Sequence, residues 1–142
     1  MVVITGGAGF IGSVFAWKLN EEGIDDIIIV DHLDDTEKWN NLVHRKFKDY
    51  LSREIFLSYL VENRLPYKID AIIHLGACSS TTEKDSHYLM ENNYRYTKMI
   101  MEWAVQNDVY FMYASSAAIY RSSLTLPEKA QVSLPIWKYF TL

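Results

Sequence analysis

The chain has 142 residues, one domain's length, and its 49% hydrophobic against 23% charged residues supply a core and argue against disorder. Lys and Arg number 14 against 18 Asp and Glu, a net charge of −4, so the basic excess of a nucleic-acid binder is missing. The apolar runs are far shorter than the roughly 20 residues that span a bilayer, Val2-Val3-Ile4-Thr5-Gly6 does not read as a secretory signal, and the single Cys78 cannot pair within the chain; a reducing cytoplasm is expected, with no membrane partner and no metal site.

Short apolar runs alternate with helical patterns along the chain. Residues 2–5 are β-branched in character and read as a strand. Residues 10–22 follow with helical spacing at Ile11, Phe15 and Leu19. Ile27-Ile28-Ile29-Val30 is a second strand; four apolar residues in a row predict burial on both faces, as in a parallel sheet. Residues 47–50 are a short third strand. Residues 52–63 read as a helix with Ser52 as its N-cap and Phe56 and Leu60 on its apolar face. Residues 71–75 form a strand that stops at Gly76. Residues 83–107 carry a long helical pattern, which Ser79, Ser80, Thr81 or Thr82 could cap together with Glu83. Residues 109–114 are a further strand. From Arg121 onward, with Pro127 and Pro135, no periodic segment is legible. Repeated strand–helix–strand units predict an α/β fold with a doubly wound parallel sheet and right-handed crossovers.

Thr5-Gly6-Gly7-Ala8-Gly9-Phe10-Ile11-Gly12 sits between the first strand and the first helix, the context a dinucleotide-binding glycine turn needs. There an early glycine permits the tight turn, Gly9 lets backbone approach a pyrophosphate, and Gly12 lets helix and strand pack closely. The helix N-terminus offers free N–H groups and partial positive charge to phosphates. Asp31 follows the second strand at the spacing of the acid that binds the adenosine ribose. An acid there favours NAD by repelling a 2′-phosphate, yet His32, Lys38 and Arg53 are near enough in sequence to hold that phosphate. NAD and NADP both remain open on these residues.

The fingerprint Thr5-Gly-x-x-Gly-x-x-Gly12 resembles that of the extended short-chain dehydrogenase/reductase superfamily. Three further segments narrow the likeness: His74-Leu75-Gly76-Ala77-Cys78-Ser79-Ser80-Thr81-Thr82-Glu83, Glu91-Asn92-Asn93-Tyr94-Arg95-Tyr96-Thr97-Lys98, and Tyr113-Ala114-Ser115-Ser116-Ala117-Ala118-Ile119-Tyr120. They resemble the ADP-heptose 6-epimerase branch of the NAD-dependent epimerase/dehydratase family, over residues 1–120. The resemblance implies a Rossmann-like NAD(P)-binding fold, and a bacterial isomerase making a nucleotide sugar for lipopolysaccharide inner-core synthesis. It implies NADP as cofactor, an ADP-heptose substrate, inversion of one carbinol centre by transient oxidation and re-reduction, and room for a homo-oligomer in the complete enzyme. By position, Gly6, Gly9, Phe10, Ile11 and Gly12 match the phosphate turn. Asp31, His32, Lys38 and Arg53 match the adenosine and phosphate end. Leu75, Gly76, Ala77, Cys78 and Ser79 match the segment beneath ribose and nicotinamide, and Asn92 matches a cofactor-contacting asparagine. Ser116 matches the active-site serine. The family has Asn where His32 stands and commonly Glu where Leu75 stands.

The same resemblance implies a Tyr-x-x-x-Lys pair about two dozen residues after the serine motif, with Tyr as the base. No such pair follows Ser116. Tyr94 and Lys98 match the spacing but precede the serine strand in the long helix, and are read as a decoy. Residues 121–142 are read as a divergent tail after a dinucleotide-binding domain over residues 1–120. The sheet is expected to be incomplete at its C-terminal end, the substrate domain absent, and the chain inactive by itself. Alternatives are a non-catalytic dinucleotide-binding module, or another sugar-nucleotide epimerase or dehydratase of the superfamily. Residue by residue, Cys78 is expected to be a buried small hydrophobe, His74 a satisfied core residue, and Trp17, Tyr59 and Trp103 packing groups against the sheet.

Overall fold

The structure is a computed structural model describing residues 1–33, 35–80 and 82–114. Five strands, β1 Val2–Thr5, β2 Ile27–Asp31, β3 Asp49–Ser52, β4 Ala71–His74 and β5 Tyr110–Tyr113, form one all-parallel sheet. Their order is β3-β2-β1-β4-β5. Helix α1 Phe10–Glu21 lies on one face. Helices α2 Arg53–Val61 and α4 Tyr96–Gln106 lie on the other. Between β4 and α4, a short helix α3 Ser86–Leu89 runs into a π-helical turn, Met90–Arg95.

All five residues of β2 are buried, as its unbroken apolar run predicts. The pleat divides them: Ile28 and Val30 pack with Phe56, Leu60, Ile72 and Ile100 under α2 and α4. Ile27 and Ile29 pack with Ile4, Ala16 and Ile73 under α1. The sheet is therefore the middle of three layers. Connections leave β1 toward β2 on one side and β4 lies on the other. This reversal of strand order opens a crevice at the carboxyl ends of β1 and β4.

Ser52 caps α2 as expected, its hydroxyl accepting the Ile55 N–H at 3.3 Å. Four readings need correction. The third strand is Asp49–Ser52, not 47–50, because pairing with β2 continues to Asp31↔Ser52 and turns Leu51 into the core. Helix α1 packs on the core through Phe15 and Leu19 as its spacing predicts, but Ile11 is exposed, and the residues buried at the sheet are the small Gly12, Ser13 and Ala16, which let the helix lie close to the strands. Trp17 is 46% exposed instead of packed, whereas Tyr59 and Trp103 do pack against the core. The Ser/Thr run does not cap the long helix. Its first turn begins at Ser86, capped by Asp85, whose carboxylate accepts the Tyr88 N–H at 3.0 Å, and Glu83 instead accepts the N–H groups of Lys84 and Asp85.

Candidate functional site

The glycine turn joins β1 to α1 in very little space. Gly6 has φ +67°, a left-handed conformation that disfavours any side chain, and a Cβ there would stand 2.8 Å from the Gly76 nitrogen. A Cβ on Gly12 would stand 2.2 Å from the Gly6 carbonyl oxygen, so α1 starts where only glycine permits. Gly9 is the helix N-cap. It has no capping side chain, and the first turn carries no acid. The leading N–H groups of α1 and their partial positive charge are thus left for an anion.

These residues form one wall of a cleft of about 740 Å³. Gly6, Gly9, Phe10, Ile11 and Gly12 line it from the turn, and Phe10 and Ile11 are 79% and 61% exposed into open space. From the end of β2 come Asp31 and His32, with Lys38 from the 3-10 turn Glu37–Leu42 and Arg53 from the start of α2. Leu75, Gly76, Ala77, Cys78 and Ser79 form the segment after β4, and Asn92 projects from the π-helical turn. All fifteen residues named from sequence for the dinucleotide line this cleft. Ser116 lies outside the described residues, as do residues 121–142. Tyr94 is 57% exposed and the Lys98 ammonium lies 3.7 Å from Glu102; neither lines the cleft.

Asp31 is 8% exposed and already structural: its carboxylate accepts the Ala8 N–H at 2.8 Å and the His32 N–H at 2.7 Å. It thereby ties β2 to the glycine turn. The Lys38 ammonium lies 3.4 Å away and also donates to the His32 carbonyl at 3.3 Å. Arg53 donates to the Asn92 side-chain oxygen and to Glu54 at 3.2 Å, and its guanidinium stands 5.8 Å from the Tyr96 ring centre. His32 is exposed at the rim, its Nδ1 4.0 Å from Glu54. Cys78 is only half-buried and lines the cleft, so the expectation of a buried small hydrophobe is not met.

Sequence reasoning quoted Asn93 and Tyr96 within a motif but gave them no role. The Asn93 amide clamps the Cys78 peptide from both sides: its oxygen accepts the Cys78 N–H at 2.8 Å and its nitrogen donates to the Cys78 carbonyl at 2.9 Å. The wider π turn sets Asn92 and Asn93 toward the cleft side. Two adjacent asparagines in a helical pattern were the signal that could have found this. Tyr96 lines the cleft too, and its buried hydroxyl has no hydrogen-bond partner among the described residues.

His74 is a satisfied core residue, 4% exposed, with both ring nitrogens hydrogen-bonded. Burial lowers its pKa from the ordinary 6.5 to about 4. Between those values the unfolded imidazole takes a proton that the folded one refuses. The stability is full above pH 6.5 and is lost as pH falls through that window, in all by about 3 kcal/mol. Denaturant unfolding of the wild type against a His74→Gln variant checks this: the wild-type slope between pH 6.5 and 4 is expected to flatten in the variant.

A parallel sheet of this strand order, with a glycine turn and a buried acid at the ends of β1 and β2, defines a dinucleotide-binding α/β protein. The NAD dependent epimerase/dehydratase family matches residues 2–139, and the chain belongs to that family. Its cofactor class is a nicotinamide dinucleotide. The chain is 52% identical over 120 residues to ADP-L-glycero-D-manno-heptose-6-epimerase of Nitratidesulfovibrio vulgaris strain DP4, covering 84% of this chain and 37% of that one. It is 43% identical over 145 residues to the enzyme of the same name from Fusobacterium nucleatum, covering 98% and 44%. Among solved structures it is similar to the Helicobacter pylori ADP-L-glycero-D-manno-heptose-6-epimerase, at 25% identity and a TM-score of 0.69, covering 92% of this chain and 43% of that one. It also resembles a Thermotoga maritima UDP-glucose 4-epimerase solved with UDP-glucose, at 27% identity and a TM-score of 0.67, covering 81% and 37%. The chain thus spans 37 to 44% of the length of these curated relatives.

Proposed function

We propose that the chain is the cofactor-holding part of a sugar-nucleotide epimerase that interconverts ADP-D-glycero- and ADP-L-glycero-D-manno-heptose for lipopolysaccharide inner-core synthesis, with NADP as its dinucleotide. The observation that carries the reading is the convergence of the glycine turn, Asp31 and residues 75–79 on one cleft at the reversal of strand order. The names of relatives at 52% and 43% identity support the sugar. Lys38 beside Asp31, with Arg53 and His32 at the same end, supports NADP: the lysine offsets the carboxylate that would otherwise repel a 2′-phosphate.

The cradle fits such a group. A side chain at Gly6 or Gly12 would collide with backbone, and the uncapped start of α1 presents its N–H groups where a pyrophosphate needs donors. When bound, the nicotinamide supplies reversible oxidation and reduction at a carbinol carbon. The chain's own residues do the holding. The first turn of α1 binds the diphosphate, and Asp31 accepts ribose hydroxyls. Lys38, Arg53 and His32 bind the 2′-phosphate, and residues 75–79 form the floor under the nicotinamide half. Ser116, outside the described residues, orients the reacting hydroxyl.

Gly9→Val tests the assignment with a smaller disturbance of the turn than a side chain at Gly6 or Gly12 would cause. A Cβ at Gly9 would stand 3.1 Å from the Gly6 carbonyl oxygen, a tight contact that a backbone shift of a few tenths of an ångström relieves, and the branched side chain fills the phosphate site. Titration calorimetry is expected to show one NADP per wild-type chain and at least tenfold weaker binding by Gly9→Val. Equal affinities would refute the glycine-turn assignment.

A further inference from the structure

We propose that His74 is a positioning residue for the dinucleotide site: its neutral imidazole locks the floor segment, residues 75–79, onto the glycine turn and onto α4. This rests on the reading of the cleft as a dinucleotide site. The geometry fixes every donor and acceptor. The Thr97 hydroxyl gives its one proton to the Asn93 carbonyl, at 2.6 Å. The contact between His74 Nε2 and the Thr97 oxygen, at 2.8 Å, must therefore be donated by the imidazole. A neutral ring that is protonated at Nε2 has a lone pair at Nδ1, so the Thr5 hydroxyl donates to it across 2.6 Å. Thr5 then has an oxygen lone pair free to accept the Gly76 N–H, at 3.2 Å.

One directional chain results: Gly76 N–H to Thr5, Thr5 to His74, His74 to Thr97, Thr97 to the Asn93 carbonyl. Its first member is the floor segment itself. Its last is Asn93, whose side chain clamps Cys78 two residues further along the same segment. The floor is thus pinned at Gly76 and Cys78 by opposite ends of one relay. Gly76 is also where the floor meets the turn most tightly, since a Cβ on it would lie 3.1 Å from the Gly6 nitrogen.

The relay is built for a neutral ring. A second proton, on Nδ1, would face the Thr5 hydroxyl hydrogen and take away the lone pair that accepts it. Among the described residues, the rings packed on the imidazole are those of Tyr96, edge-on at 5.6 Å, from α4 and of Phe111, stacked at 6.0 Å, from β5. The one titratable group among them is the Tyr96 phenol, which burial pushes up and keeps uncharged. Among the described residues, no carboxylate packs on the ring to pair with a protonated imidazole. The lowered pKa of about 4 agrees with that environment.

The test measures NADP affinity by calorimetry for the wild type, His74→Phe and the pair Thr97→Val and Thr97→Ser, from pH 7 to pH 4.5. Near pH 7, His74→Phe and Thr97→Val are expected to bind about tenfold more weakly than the wild type, and Thr97→Ser, which keeps the hydroxyl, about as well. Because the ring stays neutral until the pH approaches 4, the ratio of wild-type to His74→Phe affinity is expected to hold its pH 7 value down to about pH 5.5 and to begin to fall only at the acid end of the range, and taking the ratio cancels protonation of the ligand. If His74→Phe does not fold, the Thr97 pair carries the comparison alone. A ratio of one at pH 7, a ratio that already falls toward one above about pH 5.5, or equal affinities for Thr97→Val and Thr97→Ser overturns the proposal. Absence of NADP binding by the wild type overturns the site reading instead. Nitrogen-15 shifts of the His74 ring give an independent readout: the proton is expected on Nε2, and a proton on Nδ1 contradicts the relay.

Discussion

Gly12→Ala is expected to destabilise the chain by about 3 kcal/mol or more and to abolish dinucleotide binding with the loss of the turn. The added Cβ would lie 2.2 Å from the Gly6 carbonyl oxygen and 2.7 Å from the Gly7 Cα. Both are backbone atoms, so no rotamer change relieves them. Overpacking that side chains can absorb costs about 1–3 kcal/mol, and here the start of α1 must move off the backbone of the glycine turn. Alanine gains about 1 kcal/mol over glycine in a helix, which does not offset this. A domain has about 5–15 kcal/mol of stability to lose. The denaturant midpoint is the measurement, with Gly9→Ala as the control that should shift by under about 1 kcal/mol. Equal midpoints for the two variants would contradict the close approach of the start of α1 to the glycine turn.

The double variant Lys38→Ala/Arg53→Ala is expected to erase any preference for NADP over NAD. Hydrogen bonds to charged groups contribute about 1.5–3 kcal/mol each. The Lys38 and Arg53 side chains are 44% and 35% exposed, so water screens them and the lower value applies. Two contacts of about 1.5 kcal/mol make roughly a hundredfold change in the NADP/NAD affinity ratio. Removing Lys38 also leaves the Asp31 carboxylate without its nearby ammonium, which turns it from a tolerated neighbour of a 2′-phosphate into a repelling one. NAD affinity should change little. An unchanged ratio, measured by competition between the two dinucleotides, sinks the assignment of these cations.

Much of the frame was legible because burial and spacing leave direct marks on the chain. Four apolar residues in a row at 27–30 required a strand covered on both faces, and it lies second in the sheet between β1 and β3. Ser52 announced a helix start through its position before an apolar-periodic run. The glycine spacing, and Asp31 at the end of β2, located the cleft because a tight turn and a buried acid tolerate few residue types. What was not legible depends on contacts between distant segments. The apolar period of α1 holds at Phe15 and Leu19, which pack against the core, but not at Ile11, which faces the cleft, and the closest approach to the sheet is made by the small residues Gly12 and Ala16. Trp17 fits an apolar pattern and still lies on the outside. The π turn at Met90–Arg95 leaves no mark in hydrophobic period, and with it went the clamp of Asn93 on Cys78. Asp85 took the cap because several Ser and Thr residues compete for that role in sequence, and only the observed start of α3 decides among them.

The central claim is that the cleft between the glycine turn and residues 75–79 holds the dinucleotide. Amide hydrogen exchange, with and without saturating NADP, reads that place directly. Slower exchange on binding is expected at Phe10, Ile11 and Gly12, whose N–H groups open α1, and at Ala77, Cys78 and Ser79 on the floor. Residues on the far faces of α2 and α4, such as Val61 and Val105, should not change. NADP that bound without slowing the amides of residues 10–12, or that slowed only amides remote from the cleft, would contradict it.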